Sequence, residues 1–77
     1  MPRFFFHLRE KSKTTRDVEG MELPDVDAVY EEAVESAREI MSQQVLRGER
    51  ANGQAFVIAD ECGNTVMTFP FKLAIEH

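Results

Sequence analysis

The sequence predicts an α+β domain of two layers, a four-stranded antiparallel sheet with one long amphipathic helix on one face. Three observations carry this. Residues 3–9 alternate apolar and polar with a period of two, residues 26–47 carry apolar side chains at helical spacing, and residues 54–70 hold two β-rich runs around a turn. The order is β-β-α-β-β, and a helix with one apolar stripe covers only one face of the sheet.

The first run is "RFFFHLR". Phe4, Phe6 and Leu8 share one side of a strand, and Arg3, Phe5, His7 and Arg9 share the other. "EKSK" reads as a polar turn and residues 14–19 as the returning strand, giving a hairpin over 3–19. Gly20 breaks that strand as a bulge.

The helix is expected over 26–47. Asp25 is a good N-cap, because its carboxylate accepts from the amides of the first turn. Asp27, Glu31 and Glu32 place negative charge near the positive end of the helix dipole. Val26, Tyr30, Ala33, Ala37, Ile40, Met41 and Gln44 share the apolar side, flanked by Val29 and Val34, opposite Glu31, Glu35, Arg38, Glu39 and Ser42. Gly48 suits the left-handed position after the helix C-terminus.

The second hairpin is expected over 54–70. Gly63 takes positive φ in the turn 60–64. If Asp60 faces Asn64, then Ile58 faces Val66 and Phe56 faces Thr68, which leaves Val57, Met67 and Phe69 on the other side. Pro70 ends the strand. The tail 71–77 is expected to make one helical turn. All 77 residues read as a single domain, with no repeat and no low-complexity segment.

At this length a single core supplies a thin stability margin, and oligomerisation is one remedy. The single cysteine, Cys62, allows no internal disulfide. No signal peptide and no apolar run of about 18 residues is present, so a cytoplasmic protein that does not enter a membrane is expected. The net charge of −5 is uneven. Residues 1–16 hold five bases (Arg3, Arg9, Lys11, Lys13, Arg16) and one acid, whereas residues 17–40 hold nine acids and one base.

Phe5 is the surplus phenylalanine, since its side of the strand has no second helix to cover it. Apolar residues of the second hairpin raise the same problem, and a contiguous patch of this kind marks an interface. The interface candidates are therefore Arg3, Phe5, His7, Arg9, Val57, Met67 and Phe69. The cheapest occupant is a second copy, giving a homodimer, with another protein as a further partner. The alternative is single-stranded nucleic acid on Arg3, Phe5, His7 and Arg9, because bases stack on aromatic rings and arginine neutralises phosphate. A pI near 4.9 makes that the less favoured partner.

At this point "MPRFFFHLRE", "DVEGMELPD" leading into a helix, and "IADECGNTVMTFPF" resemble a family of short proteobacterial proteins, common in rhizobia and classed only as a domain of unknown function. The resemblance spans nearly the whole chain. Its most specific parts are Phe5-Phe6-His7 and Glu22-Leu23-Pro24-Asp25; Cys62 stands where an acidic or polar residue is more usual. It implies a fold and supplies no activity, cofactor or catalytic residue.

No catalytic, cofactor-binding or metal-ligating residue is expected, and the chain is not expected to be an enzyme. His7 and His77 are the only histidines, without a spacing that suits a metal. His7 is expected to pack beside Phe5 or to bond a neighbouring backbone or an acid such as Asp17. Asp17 and Glu19 read as turn or cross-strand partners of the basic head, and Glu22 as exposed. Acidic neighbours disfavour a reactive thiolate at Cys62. "RGERANG" lacks the order of a phosphate-binding loop and follows a helix instead of opening one.

Overall fold

The computed structural model describes residues 1–49 and 53–76. The strands are β1 (Arg3–Glu10), β2 (Lys13–Thr15), β3 (Met21–Glu22), β4 (Ala55–Ala59) and β5 (Thr65–Pro70). The helices are α1 (Val26–Leu46), between β3 and β4, and α2 (Lys72–Glu76) at the end. Residues 50–52 of the "RGERANG" reading and His77 of the tail lie outside the described residues.

The expected α+β architecture is present. One antiparallel sheet runs β2-β1-β4-β5, with β3 also paired to β1. The return strand of the first hairpin differs from the continuous run expected over 14–19. It consists of two pieces, β2 and β3, on one edge of β1. In β2, Leu8 pairs with Thr15, and in β3, Phe4 pairs with Met21. Residue numbers of partners sum to 23 in the first register and to 25 in the second, so the return strand carries two surplus residues between them. They are accommodated in the segment 16–20, where Gly20 has φ +72°.

α1 starts and stops where its caps dictate. The Asp25 carboxylate accepts from the Ala28 amide at 2.9 Å. At the other end Glu49 N–H donates to Gln44 C=O (2.8 Å) and Gly48 N–H to Val45 C=O (3.0 Å), with Gly48 at φ +75°. That pair of bonds is a Schellman motif, which only a residue tolerant of positive φ closes cheaply. The buried side of α1 is Val29, Ala33, Val34, Ala37, Met41 and Gln44. Val26, expected on that side, is 52% exposed. α2 docks on α1 with Ala74 buried, and Arg38 Nε donates to Ala74 C=O at 3.2 Å.

The second hairpin corrects the expected register. Ala59 pairs with Thr65, as a turn closing Asp60 on Asn64 requires. A bulge between Ile58 and Ala59 then admits Val66 as an extra residue, so Ile58 pairs with Met67 and Phe56 with Phe69. A slip of one residue moves every side chain beyond it to the other face. Met67 and Phe69 therefore leave the side assigned to them from the sequence and join Phe56 and Ile58 under the helix. Phe69 is 1% exposed and its ring meets Tyr30 edge-on at 5.5 Å. Phe6 meets Phe56 edge-on at 5.7 Å in the same layer.

The corrected register has a direct test in stability. Phe69→Ala is expected to cost about 3–5 kcal/mol, the usual range for a buried phenylalanine, while Thr68→Ala changes stability by no more than about 0.5 kcal/mol. Urea unfolding followed by circular dichroism measures both; the reverse ranking would restore the unbulged register.

Candidate functional site: the open sheet face

Both helices lie on one side of the sheet, against the phase of Phe4, Phe6, Leu8, Phe56, Ile58 and Phe69. The opposite phase has no covering element among the described residues. Register places its residues in rows: Arg9, Ala55 and Pro70; then His7, Val57 and Thr68; then Phe5, Ala59 and Thr65. Val66 alternates with Met67 and joins this face, 38% exposed. Phe5, His7 and Val57 are half-buried, and Thr65 and Thr68 are exposed.

Asp17 sets the geometry here. Between its two pairings with β2 and β3, β1 would leave the Phe6 amide without a ladder partner. The Asp17 carboxylate takes that amide at 3.0 Å, and its other oxygen accepts from Glu19 N–H (3.2 Å) and Gly20 N–H (3.1 Å). The Asp17 amide in turn donates to His7 Nδ1 at 3.1 Å. An amide can only donate, so His7 Nδ1 must hold a lone pair, and a neutral ring then carries its proton on Nε2. The ring lies near-parallel to Phe5, with centroids 6.4 Å apart and planes at 10°. Of the two roles expected for His7, packing beside Phe5 or bonding a neighbour, the structure shows both, the bond being to the backbone amide of Asp17. Of the two expected for Asp17, its side chain takes the turn role, accepting from the Glu19 and Gly20 amides, and also accepts from the Phe6 amide of β1.

Gly20 closes the edge against Phe5. A Cβ there would lie 2.8 Å from Phe5 Cε2 and from Arg3 Cγ, at a backbone angle that already disfavours side chains. Burial raises the Asp17 pKa, and the amides of Phe6, Gly20 and Glu19 more than offset it, so the carboxyl sits below its ordinary 3.8. In the second turn the Asn64 amide above all, with that of Cys62, holds Asp60 below the same value.

The charges around this face are sorted along β1. Arg9 lies at one end, beside Lys11 of the hairpin turn, both exposed; Lys13 pairs with Glu10 and falls on the helix side. Asp60, Glu61, Glu19 and Glu22 surround the other end, where Arg16 lines the same depression as Asp60 and Glu61. Arg3, also at that end, is already engaged: its Nη1 donates to Glu19 C=O at 2.8 Å and its Nη2 lies 3.7 Å from Glu22 Oε2. The Arg3 amide donates to Glu61 Oε1 at 3.4 Å. Six residues separate Arg3 from Arg9, so the two ends are about 20 Å apart at a rise of about 3.3 Å per residue. Between them Phe5, His7, Ala59 and the segment 16–18 line a shallow depression of about 300 Å³, and Val18 stands 83% exposed on its rim.

Of the seven interface candidates, the structure brings Arg3, Phe5, His7, Arg9 and Val57 onto one face and removes Met67 and Phe69 to the core. Val18 and Val66 were missed; only the two irregularities in strand pairing put them here. Cys62 is free and exposed in the 60–64 turn. Among the described residues no group of three or more His, Cys, Asp or Glu side chains is placed to hold a metal. No helix among them is long and apolar enough to cross a membrane.

A second cleft, of about 470 Å³, opens by Arg9, Gln54, Phe71 and Lys72. Gln54 Nε2 donates to Glu10 Oε2 at 3.1 Å, which fixes the amide's orientation and leaves Oε1 without a partner. That oxygen is closed to solvent, so a molecule in the cleft does not reach it.

Fold and site define a small two-layer α+β domain with one sheet face open. The chain belongs to the family described as "Domain of unknown function (DUF6894)", whose sequence model matches residues 3–72. No curated protein and no solved structure matches the chain.

Two outcomes test this edge. Gly20→Ala is expected to cost clearly more than Gly53→Ala: both glycines sit at positive φ, a strain of about 1–2 kcal/mol, but only at Gly20 does a Cβ also come within 2.8 Å of neighbouring side chains, whereas nothing lies within 4 Å of one at Gly53. For Asp17 the sign follows from its lowered pKa. Its stabilising contribution is complete above the unfolded value of 3.8 and is lost as pH falls through the lower folded value. Asp17→Asn should flatten the acid limb of the stability–pH curve, leaving the part due to Asp60; an unchanged limb would show that the carboxylate does not bridge the ladder.

Proposed function

We propose that the chain is a non-enzymatic interaction module that self-associates as a homodimer through the open sheet face. The observation that supports this is the patch of Phe5, His7 and Val57, with Val66 beside it, on a sheet face that no helix covers among the described residues. A solvated antiparallel face ordinarily alternates to polar side chains. Here the polar residues lie mainly at the margins, and the centre is apolar or aromatic. With Met67 and Phe69 in the core, the patch is smaller than the sequence suggested. Four strands about 4.8 Å apart and at most about 20 Å long give a face of up to about 400 Å² in projection, about 800 Å² over two copies, below the range of stable specific pairs and in that of transient ones. The dimer is accordingly one of modest affinity that dissociates on dilution.

Single-stranded nucleic acid finds less support on the same face. Arg3 is bound to Glu19 and Glu22, and acids crowd that end of the strand. Besides Arg9 the face offers Arg16, which lines the depression together with Asp60 and Glu61, and two arginines among these acids are a poor match for a polyanion.

Light scattering on a size-exclusion column, over a concentration series from micromolar to millimolar, should show a shift from the 8.8 kDa chain to twice that mass. Phe5→Asp and, separately, Thr68→Arg should hold the chain monomeric across the series with the far-ultraviolet circular dichroism unchanged. A parent chain that stays monomeric throughout would refute the reading.

A further inference from the structure

The open face is not only apolar at its centre; it is electrically bipolar along β1. We infer that the second copy sits on it with its strands antiparallel to the first, so that the Arg9–Lys11 end of each copy lies over the Glu61–Glu19 end of the other. This rests on the self-association proposed above and adds its geometry.

Two identical sheets packed face to face by a two-fold rotation must have the axis between them, in the plane of the contact. That leaves two simple arrangements. An axis running along the strands lays like end over like end, Arg9 near Arg9 and Glu61 near Glu61. An axis running across the strands reverses their direction and lays the basic end on the acidic end, twice. Like charges in register cost several kcal/mol across an interface, so the first arrangement is disfavoured and the second favoured. Placed at the level of Phe5 and His7, the crossing axis also sets the Phe5 ring of each copy against the His7 ring of the other. It brings Arg9 above the end where Arg3 donates to the Glu19 carbonyl and pairs with Glu22, so that the exposed carboxylates of Glu19 and Glu61 face it. Glu10, the one acid at the basic end, is turned to the helix side and held by Gln54. The two tight irregularities of the sheet serve the same arrangement: the Asp17 segment and the Val66 bulge both place an apolar residue beside the axis.

Charge reversal tests the geometry separately from the association. In one variant Arg9→Glu and Lys11→Glu make both ends acidic; in the other Glu19→Lys and Glu61→Lys make both ends basic. None of these four side chains is buried. Each variant alone should dimerise at least about tenfold more weakly than the parent. Mixed one to one, the two should recover a dimer containing one of each, read by native mass spectrometry from their different masses. Variants that still dimerise alone as well as the parent, or a mixture that stays monomeric while the parent dimerises, would overturn the antiparallel arrangement and leave self-association standing. A monomeric parent overturns both.

Discussion

The carboxylate of Asp17 does the work of a missing piece of β-ladder. The return strand of the first hairpin has two residues too many to pair with β1 in one register. A gap opens at Phe6, at the centre of the sheet's outer edge. Asp17 fills it with one oxygen on the Phe6 amide and the other on the amides of Glu19 and Gly20. An unmet amide there would weaken the edge, and three charge-assisted bonds rank among the stronger hydrogen bonds a side chain makes. Its own amide then aims His7, which lies over towards Phe5. The geometry of the open face thus begins at a loop residue.

The second irregularity acts in the opposite sense. Val66, slipped into β5, turns Met67 and Phe69 inward and completes the core beneath α1. A regular hairpin would leave Phe69 exposed on the open face and Thr68 under the helix. The single extra residue thus strengthens the covered side and reduces the apolar surplus on the other to what a modest interface holds. The regular alternation of β1 divides the phenylalanines of "RFFFHLR": Phe4 and Phe6 under the helix, Phe5 outside, framed by Gly20.

Periodicity and end signals made the framework legible. The alternation of residues 3–9, the Asp25 cap, the Gly48 stop and the Gly63 turn each have a local cause within a few residues, and each appears as read. What was not legible depends on pairing between strands. Nothing in "GNTVMTF" marks Val66 as the surplus residue, because Thr65, Val66 and Met67 all suit a strand. The split of the return strand is signalled only by Gly20, and the role of Asp17 appears only when the Phe6 amide is seen to lack a partner. Val26 was placed on the apolar side by spacing alone, although it lies in the first turn, beyond the reach of the sheet. Five of the seven interface candidates came from the period-two rule on strands whose register is regular; the two that failed lie beyond the bulge.

A small domain with helices on one side of its sheet must either leave the other side polar or cover it. This chain has an aromatic and aliphatic centre on that side, a basic end and an acidic end, which is the pattern a second copy complements. The most direct measurement is an isotope-filtered nuclear Overhauser experiment on a one-to-one mixture of labelled and unlabelled chain, at a concentration where association is complete. The account predicts contacts between copies from the Phe5 ring to the His7 ring and to the methyls of Val57 and Val66. Contacts between copies that arise instead from Val45, Leu46 or Ile75, the exposed apolar residues of the helices, would contradict it.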